Sequence, residues 1–236
     1  MNDLITRALR IRKVLIGRDF YQGRQVRRAR LKFGNRFTDW TFCPEFLDKD
    51  SVIYSFGVGE DLSFDLQLIS HFKLHIHAFD PSPGSIHWVG QQGDLPEEIH
   101  FHPYGLAGKD GNLIFSEPVD PGIHSLRISQ PGMQPADGPV THNLPVHRLP
   151  TILRKLEHNR IDILKMDIEG AEYEVIEDII SSPVPIDQVL IEFHHRFENI
   201  GVLKTKQAIS RMNEAGYGIF NVSASGEEIS FIKTGK

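Results

Sequence analysis

Cysteine is nearly absent. Cys43 is the single one in 236 residues, so neither an internal disulfide nor a cysteine-based zinc cluster can organise the chain. Long apolar runs are missing as well. No stretch reaches the roughly 20 residues that cross a bilayer, and no apolar run near Met1 reaches the roughly seven residues of a secretory leader. A cytoplasmic location is the expectation. The glycine signature of nucleotide binders is incomplete: Gly57-Val-Gly59 lacks its third glycine, whose place Leu62 takes, and no Gly-Lys-Ser/Thr occurs. That excludes the dinucleotide phosphate fingerprint and the nucleoside triphosphatase loop. What is present, 40% hydrophobic and 24% charged, suffices for one large α/β domain with its own core.

Charge is distributed unevenly. Residues 1–36 carry 11 Lys or Arg against Asp3 and Asp19, a net +9, which leaves −14 for the other 200 residues of a chain whose net charge is −5. Residues 1–36 are therefore expected to form a basic extension of one helix and one strand, ahead of a domain over 37–236. Capped by Asn2, Leu4, Ile5, Ala8, Leu9, Ile11, Leu15 and Ile16 mark an apolar stripe among Arg7, Arg10, Arg12 and Lys13. Such a helix docks on the domain body, lies on an anionic membrane or partner, or serves homo-oligomer formation. Val26, Ala29, Leu31 and Phe33 interleave with basic residues and predict a short strand rather than a nucleic-acid arm. The acidic remainder argues against nucleic acid in general. Asp39 to Leu47 reads as an aromatic lead-in packed against a sheet edge.

The domain centres on Ile161 to Glu172, reading Ile-Asp-Ile-Leu-Lys-Met-Asp-Ile-Glu-Gly-Ala-Glu. A buried strand runs into a helix, and carboxylates gather where an open parallel sheet places its chemistry. Strand alternation predicts Lys165, Asp167 and Glu169 on one side, with Glu172 in the first helical turn, where a carboxylate suits the dipole. A solvated strand end with a helix-capping acid is the plain alternative. Earlier, Ser51 to Gly57 predicts a strand that ends in the Gly57-Val-Gly59 loop and continues into a helix through Phe72. Glu60 and Asp61 in that loop suit a ligand with a cationic end better than a pyrophosphate. The next strand, Lys73 to Phe79, ends at Asp80-Pro81, about twenty residues after the glycines; a carboxylate there can accept both hydroxyls of a ribose. An Asx-Pro turn without a ligand is the alternative.

Prolines at 118, 121, 131, 135, 139, 145 and 150 make 117–150 the least regular stretch, read as a substrate-side insertion or lid, with His124, Ser125 and Arg127 in a small β-like run. A later strand, Ile186 to Phe193, puts Glu192 and His194 on one face near Asp167 and Glu169. Asp167, Glu192 and His194 could hold magnesium or manganese. A metal-free acid–base pair with neutral His194 is the preferred reading. Lys204 to Glu214 predicts a helix ended by Gly216, followed by a hairpin over 217–232. His71, His75, His77, His100 and His102 need no ligand.

Ser55-Phe-Gly-Val-Gly59, Phe79-Asp-Pro-Ser82, Tyr104 to Gly111, Leu164 to Glu172 and Leu190 to His194 resemble, in that order, the FkbM-type S-adenosylmethionine-dependent methyltransferases. The glycine loop looks closest to the related methyltransferase-like branch. The resemblance covers roughly residues 40–235, and its most specific part is Lys-x-Asp-x-Glu-Gly-x-Glu. It implies an α/β fold of the Rossmann-like class I methyltransferase type, a seven-stranded, mostly parallel sheet with helices on both faces. It implies that Gly57 and Gly59 approach the amino-acid end of S-adenosylmethionine, that Asp80 with Pro81 holds the ribose, and that Leu106 and Ala107, in the loop after the third strand, neighbour the adenine. Asp167 would lie beneath the sulfonium. Ser55 stands where many such enzymes carry an acid, so Glu60 or Asp61 must meet the ammonium group.

The expected activity is methyl transfer to a hydroxyl oxygen of a small molecule or glycan, with sugar, polyketide and lipid-linked hydroxyls all open. His194 is the first choice of base, Asp167 and Glu169 position it, and Lys165 steadies a developing alkoxide. A cofactor-binding scaffold without turnover and a nicotinamide-dependent oxidoreductase are the other classes.

Overall fold

Runs rich in isoleucine, leucine, valine and aromatics, with polar residues few inside them, favour strands buried on both faces, as a parallel sheet requires. The computed structural model describes residues 3–36, 38–117, 127–128, 140–182, 184–197 and 200–235, with backbone only at 3–4 and 127–128. In chain order the elements begin with α1 (Asp3–Leu15), β1 (Leu31–Phe33), β2 (Trp40–Phe42), β3 (Ile53–Phe56), α2 (Ser63–Phe72) and β4 (Ile76–Phe79). Next come α3 (Pro83–Gln91), β5 (Ile99–His102), β6 (Gly105–Leu106), β7 (Gly111–Ser116), β8 (Arg127–Ile128) and β9 (Thr141–His147). The chain closes with α4 (Leu149–Lys155), β10 (Ile161–Met166), α5 (Glu172–Ser181), β11 (Ile186–Glu192), α6 (Gly201–Glu214), β12 (Tyr217–Val222) and β13 (Glu228–Lys233).

Seven strands form the main sheet in the order β12-β13-β11-β10-β3-β4-β5. Only β13 runs against the rest. Every residue of β3 and β10 is buried, and Lys165 pairs with Ser55 and Met166 with Phe56. From β3 the chain moves outward to β4 and β5, and from β10 it moves the other way to β11. The gap beyond β3 and β10 is therefore the switch point where open sheets bind ligands. Apolar side chains of α4, α5 and α6 cover one face. On the other, α2 packs with Trp40 and Phe42, and Trp88 and Val89 of α3 pack on Val58, Leu62 and Ala78. The α/β class, the strand count and the two-faced helix layer match the sequence expectation. No helix among the described residues is long and apolar enough to cross a membrane.

Local placements differ from expectation at several points. Instead of forming a longer strand, residues 24–33 contribute only β1, paired with β2, while the Gln25 and Val26 N–H groups donate to Ile219 O at 2.7 and 3.0 Å. The step from Val26 to Ala29 is odd, so the apolar set changes face and one strand cannot bury it. The aromatic lead-in lies over β11 rather than along a sheet edge. Cys43 N–H donates to Gln188 Oε1 at 2.7 Å, and Gln188 Nε2 donates back to Cys43 O at 2.8 Å.

The proline-rich stretch is more regular than its composition suggests. A second sheet, β6-β9-β7-β8, contains β9 with Pro145 opposite Asn112. Pro150 sits in the first turn of α4, where its missing N–H leaves no bond unmade. Leu106 belongs to β6 rather than to a loop. His124 and Ser125 lie outside the described residues, as does the Arg127 side chain.

Candidate active site

Gly57 closes the gap between β3 and β10. Its φ is +80°, and a Cβ there would sit 1.9 Å from Asp167 O, so only glycine lets the two strand ends cross this closely. Its N–H donates to Phe79 O at 3.0 Å. Gly59 N–H donates to Asp80 Oδ2 at 2.9 Å, and Ser82 N–H donates to Asp80 Oδ1 at 2.8 Å. The buried Asp80 carboxylate is thereby fixed at the tip of β4 by the glycine loop on one side and the start of α3 on the other.

A cleft with two lobes opens there. The larger, about 760 Å³, is polar, with Gly59, Glu60, Asp61, Asp65 and Lys165 on its walls. The smaller, about 490 Å³, is apolar, with Pro81, Leu106, Phe115 and Leu144. Gly57, Asp80, Asp167 and Glu169 border both. Ala107 is not on either wall; it is buried, and its N–H donates to His147 O at 3.0 Å.

In the polar lobe Lys165 Nζ donates to Gly57 O at 2.9 Å and Phe56 O at 3.2 Å and lies 5.1 Å from the Trp40 ring centroid. Asp61 is committed to its own turn: it accepts from Asn35 Nδ2 at 2.7 Å, from Ser63 N–H at 2.9 Å, and from Thr38 Oγ1. Glu60 stands exposed on the rim. Besides Asp80, the buried carboxylate of this lobe is Asp65, 2% exposed, whose Oδ1 has no hydrogen-bond partner, like the Oγ of Ser55. Burial pushes Asp65 up to about 6, against the pull of the Lys165 ammonium. Asp65 stands outside the sequence-derived set. Its sequence signal is an acid on the apolar face of α2, one position after Phe64 and three and four before Leu68 and Ile69.

Behind Asp167 and Glu169, which border both lobes, lies a buried histidine ringed by carboxylates. β10 ends at Met166, and the turn that follows holds Glu169 in the left-handed region, φ +52°, so the turn rather than strand alternation aims Glu169 at the cleft. Fully buried Glu172 then anchors both sides of the site. Its Oε2 accepts from Gly170 N–H at 2.8 Å, its Oε1 accepts from His194 N–H at 2.9 Å, and Oε1 lies 3.2 Å from His194 Nδ1. His194 Nε2 faces Glu169 Oε2 at 3.4 Å and Asp167 Oδ1 at 3.7 Å.

Burial disfavours charge on this ring, but Glu172, then Glu169 and Asp167, outweigh it and raise His194 to about 10. In this setting the ring favours the imidazolium at neutral pH, whereas the sequence reading preferred a neutral histidine. Asp167, Glu192 and His194 each offer a ligand atom within 4.8 Å of the others. Burial, then Asp167 and Glu228, raises the Glu192 carboxyl as well. Glu172 is the second residue outside the sequence-derived set; the sequence marks it as a helix-start acid and gives no sign that it would be buried.

Residues 35–219 match the Methyltransferase FkbM domain. The chain is 25% identical over 183 residues to the human "Probable methyltransferase-like protein 24", covering 73% of this chain and 42% of that one. It is 26% identical over 166 residues to the protein of the same name from Rattus norvegicus, covering 69% and 38%. The chain thus spans about two fifths of the length of these relatives. A match over most of the chain, on the seven-stranded, mostly parallel sheet that the sequence resemblance implied, with the Lys165-to-Glu172 block at its switch point, identifies this protein as a member of the FkbM-domain methyltransferase family.

Proposed function

We propose that the protein is an S-adenosylmethionine-dependent O-methyltransferase acting on a hydroxyl of a small molecule or glycan. The observation that carries this reading is the two-lobed cleft with Asp167 and Glu169 on both lobes and His194 directly behind them. The residues present fit the cofactor. Asp65, buried and with an unpartnered oxygen, suits the ammonium end that Ser55 cannot meet. Each Asp80 oxygen has a lone pair beyond those used by Gly59 and Ser82 and can accept a ribose hydroxyl. Pro81, Leu106 and Leu144 offer the flat apolar wall an adenine needs.

S-adenosylmethionine supplies an electrophilic methyl carbon whose departure leaves a neutral thioether that requires no proton. The chain must therefore align an acceptor oxygen and remove its proton. With His194 already charged, Glu169 and Asp167 are the groups that can take it, and the imidazolium orients both carboxylates. A second reading rests on the same cluster. A site that raises the pKa of both its carboxyl Glu192 and its imidazole His194 is short of positive charge. Asp167, Glu192 and His194, the last once it has given up its proton, would hold a magnesium or manganese ion, which would supply Lewis-acid polarisation of the acceptor hydroxyl.

Calorimetric titration of S-adenosylmethionine and S-adenosylhomocysteine tests the cofactor. Both are expected to bind without competition from NAD, and Asp65→Asn and Asp80→Ala are each expected to weaken binding about tenfold or more. An acceptor screen with and without magnesium then tests turnover. Folded protein that binds neither ligand refutes the methyltransferase reading; binding without transfer to any hydroxyl acceptor favours a cofactor-binding scaffold.

A further inference from the structure

Helix α1 meets the body of the protein with its polar side. Arg10 Nη2 donates to Phe20 O at 2.8 Å, its Nε lies 3.6 Å from Asp19, and its guanidinium packs so closely on Gly226 that a Cβ there would come within 2.1 Å of Cζ. The apolar stripe points the other way. Ile5, Leu9 and Ile16, spaced by four and seven along one side, and Leu15 on the adjoining flank are all exposed, Leu15 at 81%, with Tyr21 beyond them at 83%. A helix that only braced the domain would turn this stripe inward.

Charge indicates what covers it. Arg7, Arg12, Arg18 and Arg24 are exposed, Arg12 on the stripe's own side of the helix, within the 36 residues that carry a net +9. An apolar stripe edged by arginines, whose stems can lie along apolar surface while the guanidinium stays in water, suits the boundary between acyl chains and anionic headgroups. Its position also matters. Gly226 lies in the turn after β12, and β12 runs parallel to β10 and β11, so this turn and α1 lie at the same end of the sheet as Asp167 and His194.

We propose that α1 lays its outward stripe of Ile5, Leu9, Leu15 and Ile16 into an anionic lipid surface, holding the carboxyl end of the sheet against the membrane. The proposal does not depend on methyl transfer. The full chain is sedimented with vesicles of phosphatidylcholine alone and of phosphatidylcholine containing about one third phosphatidylserine. Binding to the anionic vesicles only is expected, weakening as salt rises. Leu9→Glu and Ile16→Glu should each reduce partitioning about tenfold, the fold-change that burying one such side chain is worth. Arg7→Glu with Arg12→Glu, both at exposed positions of α1, should abolish the preference for anionic vesicles. Absence of wild-type binding to anionic vesicles overturns the proposal. So does a concentration-dependent dimer in light scattering that Leu9→Glu and Ile16→Glu dissolve, because the stripe then belongs to a second copy.

Discussion

Glu172→Gln separates a helix-capping acid from a residue that holds the site together. The carboxylate is fully buried and receives Gly170 N–H and His194 N–H from opposite sides, with the His194 ring beside it. A glutamine presents its oxygen to one side only. Its amide hydrogens then face a backbone N–H on the other, leaving a buried donor unpaired and an imidazolium without its nearest counter-charge. Removing one member of a buried charge pair costs about 3–5 kcal/mol. For a chain of this length that lowers Tm by roughly 6–20 °C. Cofactor affinity should stay within about threefold, because Glu172 borders neither lobe. Methyl transfer should fall about 100-fold, as expected when a reacting geometry loosens by about 1 Å. Glu174→Gln, one turn position away and exposed, should cost no more than about 0.5 kcal/mol. Calorimetric unfolding, ligand titration and single-turnover transfer read the three quantities. A Glu172→Gln protein that melts and turns over like its Glu174→Gln counterpart would refute the role given to Glu172.

Gly57→Ala should destabilise the protein by about 2 kcal/mol or more and weaken S-adenosylhomocysteine binding at least tenfold, because its Cβ meets Asp167 O. Gly59→Ala, with nothing within 4 Å, should cost only the left-handed penalty of about 1–2 kcal/mol; equal effects in urea unfolding would refute the close-approach account. On β4 and β5, His77 Nδ1 and His102 Nε2 are 3.0 Å apart, and burial followed by neighbouring rings lowers these residues to about 3 and about 4. The unfolded chain takes up these protons below about 6.5 and the folded one does not, so stability falls as pH drops from 7. At pH 5 linkage gives about 2 kcal/mol per ring, halved to about 1 because both are partly exposed. Urea midpoints that do not move between pH 7 and 5 would contradict this.

The sheet was legible in the sequence because its strands are continuous apolar runs that end in Gly57, Asp80 and Asp167, each at a carboxyl tip. The meeting of His194 with Asp167 and Glu169 followed from the same pattern. What was not legible depends on distance in the chain. Nothing local says that Glu172 is buried, since that follows from β11 bringing His194 over it. Asp65 carries a local signal, an acid on an apolar helix face, yet only the neighbouring Lys165 and Ser55 turn it into a ligand-facing group. The protonation of His194 follows from three carboxylates on two segments, which strand periodicity places near one another but does not aim. The orientation of α1 stayed open among three readings in the sequence because amphipathicity gives the direction of a stripe and not the identity of what covers it.

The N-terminal segment is joined to the loop that carries His194 more directly than its basic composition suggests. His195 and Arg196 follow His194, and both meet Asp19. Arg196 Nη2 donates to Asp19 Oδ2 at 2.6 Å and to Ser225 O at 2.6 Å, His195 Nε2 lies 3.4 Å from Asp19 Oδ1, and Phe20 packs edge-on against the His195 ring. Burial alone would raise the Asp19 carboxyl, but Arg196, Phe20 N–H and His195 together lower it, so it stays a carboxylate in a nearly closed site. The loop that carries His194 is therefore clamped from below by Glu172, from one flank by Asp19 and from the other by the β12–β13 turn. Asp19 and the whole of β13 fall outside residues 35–219, the span that matches the family. The domain common to the family supplies the cleft, its carboxylates and the Glu172 anchor, while the two flanking contacts of the histidine loop come from segments beyond that span, one of which carries α1. A contact made by α1 is thus three side chains from His194, along Arg10, Asp19 and Arg196, and the outward stripe and the site are parts of one mechanical unit.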